Sequence, residues 1–153
     1  MASVEDQVRL LVDERDILHT LYTYGHAIDY GAEAEFLDCW AQDAELSWGG
    51  DRVFRGRKQI QDAFRSHTHA PVIYHKHLVA APRISIDGDR ATAECMFARL
   101  DSYADGPRVL AFGRYRDVLV RESDGRWRFS KRIAEIEASG APPEAILNLI
   151  RQE

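Results

Sequence analysis

Asp29 and His77 are of the types that together remove a proton from carbon. A neutral imidazole that titrates near neutrality is a natural general base for a carbon acid. It works best when its second nitrogen donates to a carboxylate, which fixes the tautomer and stabilises the imidazolium. Asp29 closes a helical pattern, and His77 lies in the strand pattern Tyr74-His75-Lys76-His77-Leu78-Val79-Ala80. A fold that packs this helix end on this strand would bring the two together in a pocket. Tyr24 adds a phenol that can donate to a carbonyl oxygen or a leaving hydroxyl. Its offset from Asp29 is roughly 140° around a helix, so the two flank a space.

The same strand admits a metal reading. His75 and His77 share a face at i, i+2, and with Asp29 or His26 they would make a three-ligand zinc set. An HxH pair alone is a weak signal, and the preferred reading has no metal and no cofactor. His26 lies one turn before Asp29 and either lines the pocket or packs as a core histidine. Lys76 alternates to the opposite face from His77. His67 and His69 fall in a polar loop. Trp40, Trp48, Phe97 and Phe112 read as core or pocket wall. With His26 and His75 they are the expected substrate contacts.

These groups need elements to hold them. Ser3 followed by Asp6 is a variant capping box, so a helix starts at Val4. Ile17, Leu21, Tyr24 and Ile28 form one apolar helical stripe, and Gly31 is placed to end it. Asp16 is a possible second N-cap that would split the helix in two. Residues 32–40 read as a second helix, 44–48 and 53–54 as short strands, and 57–65 as a third helix. From Tyr74 the period becomes two. Four long strands are expected over 74–87, 90–103, 108–122 and 126–137, joined by turns at Gly88, Gly106 and Gly125 with hairpin chemistry. Residues 144–150 read as a short terminal helix. Helices followed by an antiparallel meander define an α+β order. The expected fold is a cone-shaped α+β barrel, with N-terminal helices on a strongly curved, mainly antiparallel sheet enclosing a pocket.

Bulk properties narrow the function classes. The chain of 153 residues is read as one domain, 1–153. Hydrophobic residues at 45% and charged residues at 29% suit an ordinary globular protein. With a net charge of −5 and no basic run, nucleic acid is not an expected partner. Cys39 and Cys95 have no metal-ligand or redox spacing and suit a reducing compartment. No apolar run reaches the length of a membrane span, and the first residues lack the basic and apolar regions of a signal peptide. The expectation is a cytoplasmic protein with a small-molecule substrate and no membrane partner.

The motifs Tyr24-x4-Asp29, Phe36-x3-Trp40-x2-Asp43-Ala44, Phe54-x-Gly56-x3-Ile60 and Lys76-His77-Leu78 occur in order. They are followed by Ile86-x-Gly88-Asp89-x-Ala91, Gly113-x-Tyr115-x-Asp117 and Gly125-x-Trp127-x-Phe129-x2-Arg132. Together they resemble the SnoaL-like family of the nuclear-transport-factor-2-like superfamily, over residues 17–137. The resemblance is strongest to the cofactor-free lyases of the scytalone dehydratase, bile-acid 7α-dehydratase and dehydrochlorinase branch. It implies that Asp29 pairs with His77, that Tyr24 is a catalytic phenol, and that Arg132 lines the pocket and stabilises an oxyanion. Strict alternation would turn Arg132 away from the face of Trp127 and Phe129 unless the strand is bulged. The implied activity is a dehydratase-like lyase or an isomerase on a small hydrophobic, carbonyl-activated substrate, cyclic ones included. A polyketide cyclase is an alternative. So is a non-catalytic ligand-binding or assembly module of the dioxygenase small-subunit kind, which would need neither the pair nor an open cavity. A homo-oligomer, trimer or dimer, is also implied, with Val118 and Val120 as interface candidates.

Overall fold

The computed structural model describes residues 3–140. The expected terminal helix over 144–150 lies outside the described residues.

Helix α1 spans Val4–Tyr30 without a break. The Ser3 hydroxyl accepts from the Asp6 amide at 3.1 Å and the Ser3 amide donates to the Asp6 carboxylate at 3.2 Å, the reciprocal capping box. At the other end the Gly31 amide donates to the Ala27 carbonyl. Asp16 makes no second cap. It stays in the helix and pairs with Arg15. Burial begins at Asp13, which accepts from Arg121 at 2.7 Å and from the Trp127 indole at 3.0 Å. Beyond it Ile17, Leu21, Tyr24 and Ile28 are buried to within 1% of full enclosure. Each such apolar side chain contributes about 1.5–3 kcal/mol.

Helix α2 covers only Glu33–Asp38, shorter than the pattern predicts. Trp40 instead opens strand β1, Trp40–Ser47. The Phe129 amide bonds the Cys39 carbonyl at 2.8 Å, so sheet pairing captures the chain before a further helical turn forms. Strand β2 (Val53–Arg55) and helix α3 (Gly56–Ser66) follow. The four long strands are β3 (His75–Asp87), β4 (Arg90–Tyr103), β5 (Gly106–Arg121) and β6 (Trp127–Ser139).

The strands form one sheet in the order β2-β1-β6-β5-β4-β3. Among the described strands only the β1–β6 pair is parallel. The fold is therefore α+β with helices on a mixed, mostly antiparallel sheet. Among the described residues it does not close into a barrel: β2 and β3 are the two edges. Irregular register between Ala80 and Arg83, between Arg99 and Leu100, and between Val118 and Leu119 bends the sheet, because a bulge adds twist and kink to its strand.

Two close approaches set the spacing of the layers. A Cβ at Gly25 of α1 would lie 3.0 Å from the His77 carbonyl oxygen, so glycine allows the helix to press on β3 beside Asp29. A Cβ at Gly113 would lie 2.0 Å from the Glu135 carbonyl oxygen, a sheet-backbone atom that cannot swing aside. Gly113→Ala is accordingly expected to cost about 1–3 kcal/mol, the usual range for overpacking, read as a lowered midpoint in urea. An unchanged midpoint would show that β5 and β6 separate freely there.

Candidate active site

The cavity lies between the C-terminal half of α1, the loop after α3 and the inner faces of β3–β6. Its volume is about 370 Å³, within the range of small-ligand sites. Ile28, Phe97, Leu110, Ala111 and Ile136 make its apolar wall, while Tyr24, Arg52, His67, His77 and Arg99 bring polar groups to it.

Asp29 and His77 meet as the sequence predicts. His77 Nδ1 lies 2.6 Å from Asp29 Oδ1, and the His77 backbone amide donates to Asp29 Oδ2 at 3.0 Å. A carboxylate can only accept from the ring, so this bond places the neutral imidazole proton on Nδ1. His77 Nε2 is left as the acceptor nitrogen of a side chain that lines the cavity. Asp29 is 4% exposed, so water competes little for it.

Tyr24 also reaches the cavity. Its hydroxyl accepts from the Trp48 indole at 3.0 Å. Because indole only donates, the phenol proton stays available to a substrate oxygen. Burial raises the Tyr24 pKa, against the opposing pull of Arg132, which keeps the group a donor.

Arg132 is placed differently from the sequence expectation. A bulge at Ser130 does bring it to the inner face: Val118 pairs with Lys131, and Leu119 pairs with Phe129. Yet Arg132 is fully buried and does not line the cavity. Its guanidinium donates to both Asp117 oxygens, at 2.8 and 2.7 Å. The rings of Tyr24, Tyr115 and Phe129 surround it at 4.3, 4.1 and 4.2 Å. Burial works against its charge, and Asp117 outweighs that cost, raising its pKa. Arg132 thus supports the Tyr24 ring from behind the cavity wall.

Other expected contacts divide. Trp48 and Phe97 line the cavity. Trp40 is fully buried among Tyr24, Phe36 and Phe129, because β1 turns it into the core. His26 is exposed and borders an outer groove with Tyr22 and Lys76, since its position on α1 turns it outward from the Tyr24 stripe. Phe112 is 49% exposed: it neighbours Gly113, which faces inward, and alternation sends it to the outer face. His75 is buried beside the pair, its Nε2 3.7 Å from Asp29 Oδ1.

Arg99 and His67 are among the cavity residues that the sequence pattern does not point to. Arg99 sits directly across from His77 on β4 and gives two of its donors to Asp101, at 2.7 and 3.0 Å. His67 comes over the site because its loop is tied down. The Ala70 amide bonds the Asp29 carbonyl at 3.0 Å, and His69 contacts the carbonyls of Ile28 and Phe64 at 2.6 and 3.1 Å. Burial, aided by Arg99 and His77, pushes the His67 pKa down to about 2. The same causes in the same order push His75 down to about 4 from 6.5.

The His75 shift has a sign. A folded pKa below the unfolded one means that the unfolded chain binds the proton first as pH falls. The stabilisation from a neutral, buried His75 is complete above about pH 6.5 and is lost toward pH 4. Its slope is at most about 1.4 kcal/mol per pH unit. Stability measured by urea unfolding is expected to fall across that window, and His75→Phe is expected to flatten the fall. An identical pH profile in the variant would contradict this assignment.

Helices against a curved mixed sheet, with a cavity between them, are the fold of the nuclear-transport-factor-2-like proteins. More narrowly, the chain belongs to the SnoaL-like family: residues 9–133 match the SnoaL-like domain. Solved structures agree on the fold. An NTF2-like protein with a cystatin-like fold from Novosphingobium aromaticivorans superposes with a TM-score of 0.81 at 22% identity, covering 96% of this chain and 97% of that one. A candidate scytalone dehydratase from the same organism gives 0.74 at 19% identity, covering 85% and 87%. ActVI-ORFA from Streptomyces coelicolor gives 0.72 at 21% identity, covering 81% and 96%. No curated protein matches the chain by sequence. Among the described residues, no helix is long and apolar enough to cross a membrane.

Proposed function

We propose that the protein is a cofactor-independent lyase, of dehydratase type, or an isomerase, acting on a small hydrophobic substrate activated by a carbonyl. The observation that carries this reading is the 2.6 Å contact of His77 Nδ1 with Asp29, which leaves Nε2 as the acceptor of a cavity-lining imidazole. In the reaction, His77 Nε2 takes a proton from the carbon next to the carbonyl. The Asp29 carboxylate steadies the imidazolium that results. Tyr24 and Arg99 donate to the oxygen on which enolate charge develops. The protonated His77 then returns its proton to a leaving hydroxyl, giving elimination, or to a different carbon, giving isomerisation. The apolar wall fits a ring or short hydrocarbon chain. The similarity to a candidate scytalone dehydratase supports the same class.

A polyketide cyclase would use the same proton abstraction followed by carbon–carbon bond formation. The non-catalytic alternative expects Asp29 and His77 apart or the cavity filled. The observed contact and open volume favour the catalytic reading.

The test uses a panel of cyclic and acyclic carbonyl compounds in deuterium oxide, followed by NMR and mass spectrometry. Enzyme-dependent exchange of the α-proton, with loss of water or double-bond movement in at least one compound, is expected. Exchange equal to buffer across the panel would count against the proposal.

A further inference from the structure

We propose that Asp29, His75 and His77 form a binding site for a divalent transition metal ion of the zinc class, and that its occupation disables His77 as a base. One ligand atom from each of the three residues lies within 4.8 Å of the others. His75 supplies the independent observation. It is 2% exposed, and neither ring nitrogen has a hydrogen-bond partner. An unpartnered buried polar group costs about 1–3 kcal/mol, and the nitrogen nearest Asp29 is placed where a shared ligand would relieve that cost.

The spacing fits such a ligand. Tetrahedral zinc with bonds of about 2.1 Å holds its ligand atoms about 3.4 Å apart. His75 Nε2 and Asp29 Oδ1 are 3.7 Å apart, too far for a hydrogen bond and close to that value. His77 Nδ1 and Asp29 Oδ1 are 2.6 Å apart because a proton lies between them. They need open by about 0.8 Å when a metal replaces that proton. Two imidazoles and one carboxylate suit zinc, cobalt or nickel rather than magnesium or calcium. His67 packs beside both imidazoles, its ring centroid 4.7 Å from that of His75 and 5.8 Å from that of His77.

The proton balance predicts the effect. Neutral His77 carries one ring proton, on Nδ1. When the metal takes the Nδ1 lone pair, that proton passes through solvent to Nε2. No electron is transferred. The cavity-facing acceptor becomes an N–H donor, and proton abstraction stops. The inhibitory consequence rests on the proposed function, whereas the binding itself does not.

Binding is read without substrate. Tag-free, chelator-treated protein is titrated with cobalt(II), followed by its visible d–d absorption, and zinc is then added to displace it. One cobalt per chain, with the intense spectrum of a low-coordinate site and displacement by zinc, is expected in the wild type. His75→Phe is expected to weaken binding by more than about 100-fold, beyond the loss of a supporting partner. Circular dichroism checks its fold, and His75→Gln replaces it if the phenylalanine disturbs folding. A featureless octahedral spectrum in the wild type, or equal binding by wild type and a folded His75 variant, would overturn the proposal. Neither result bears on the deuterium-exchange assay, so the two readings fail separately.

Discussion

His77→Ala is expected to lower turnover by roughly 10²- to 10⁴-fold, the usual contribution of a positioned general base, while the protein still folds. The residue lies on the cavity wall, and the core stripe of α1 does not depend on it. His77→Asn separates chemistry from structure more sharply. An asparagine amide can occupy the position of Nδ1 and still donate to Asp29, but it offers no basic nitrogen to the cavity. The expected result is a unfolding midpoint near that of the wild type and the same loss of turnover as in His77→Ala. Asp29→Asn should lose less than either His77 variant, because the imidazole remains but is no longer held in its tautomer. Turnover within about 10-fold of the wild type in His77→Asn would remove the base from the account.

The largest expected effect on stability lies behind the cavity wall. Arg132→Met alone should destabilise the protein by about 3–5 kcal/mol, because it leaves a buried carboxylate without its counter-charge. The side chains of Arg132 and Asp117 are both 0% exposed, and the two bonds between them are short. Replacing both, Arg132→Met with Asp117→Leu, should recover most of the loss, since paired removal of a buried ion pair is often neutral. The comparison is a double-mutant cycle in urea. If the double variant is as unstable as Arg132→Met, the loss comes from packing against Tyr24, Tyr115 and Phe129 rather than from stranded charge. Any fall in turnover is then expected to follow displacement of Tyr24, whose ring packs on the guanidinium.

The sequence carried the local signals well. The Ser3–Asp6 box, the Ile17–Ile28 stripe and the turns at Gly88, Gly106 and Gly125 act over a few residues, and the structure uses them all. What remained illegible depends on bulges and on pairing between distant segments. A regular ladder from the Asp87–Arg90 turn would set His77 opposite Leu100. Ala81, at φ 49°, and Pro82 interrupt the ladder and shift the partner to Arg99. A proline cannot donate to the ladder, but its presence does not say which way the register moves. Arg132 was legible only as a condition, because the Ser130 bulge that turns it inward leaves no mark in the hydrophobic pattern. Its pairing with Asp117 then came from the neighbouring strand. Trp40 left its helix for the same kind of reason, a sheet contact with a residue far along the chain.

In the proposed mechanism His77 holds its proton on Nδ1, against Asp29, and keeps a lone pair on Nε2 for the cavity. Long-range proton–nitrogen NMR of the ring reads this directly and needs no substrate. In chelator-treated, metal-free wild type at neutral pH, Nδ1 is expected to show the protonated, pyrrole-like nitrogen shift and Nε2 the unprotonated, pyridine-like one. A metal-free His77 ring with its proton on Nε2 would contradict this assignment, because the nitrogen facing the cavity would then have no lone pair with which to remove a proton.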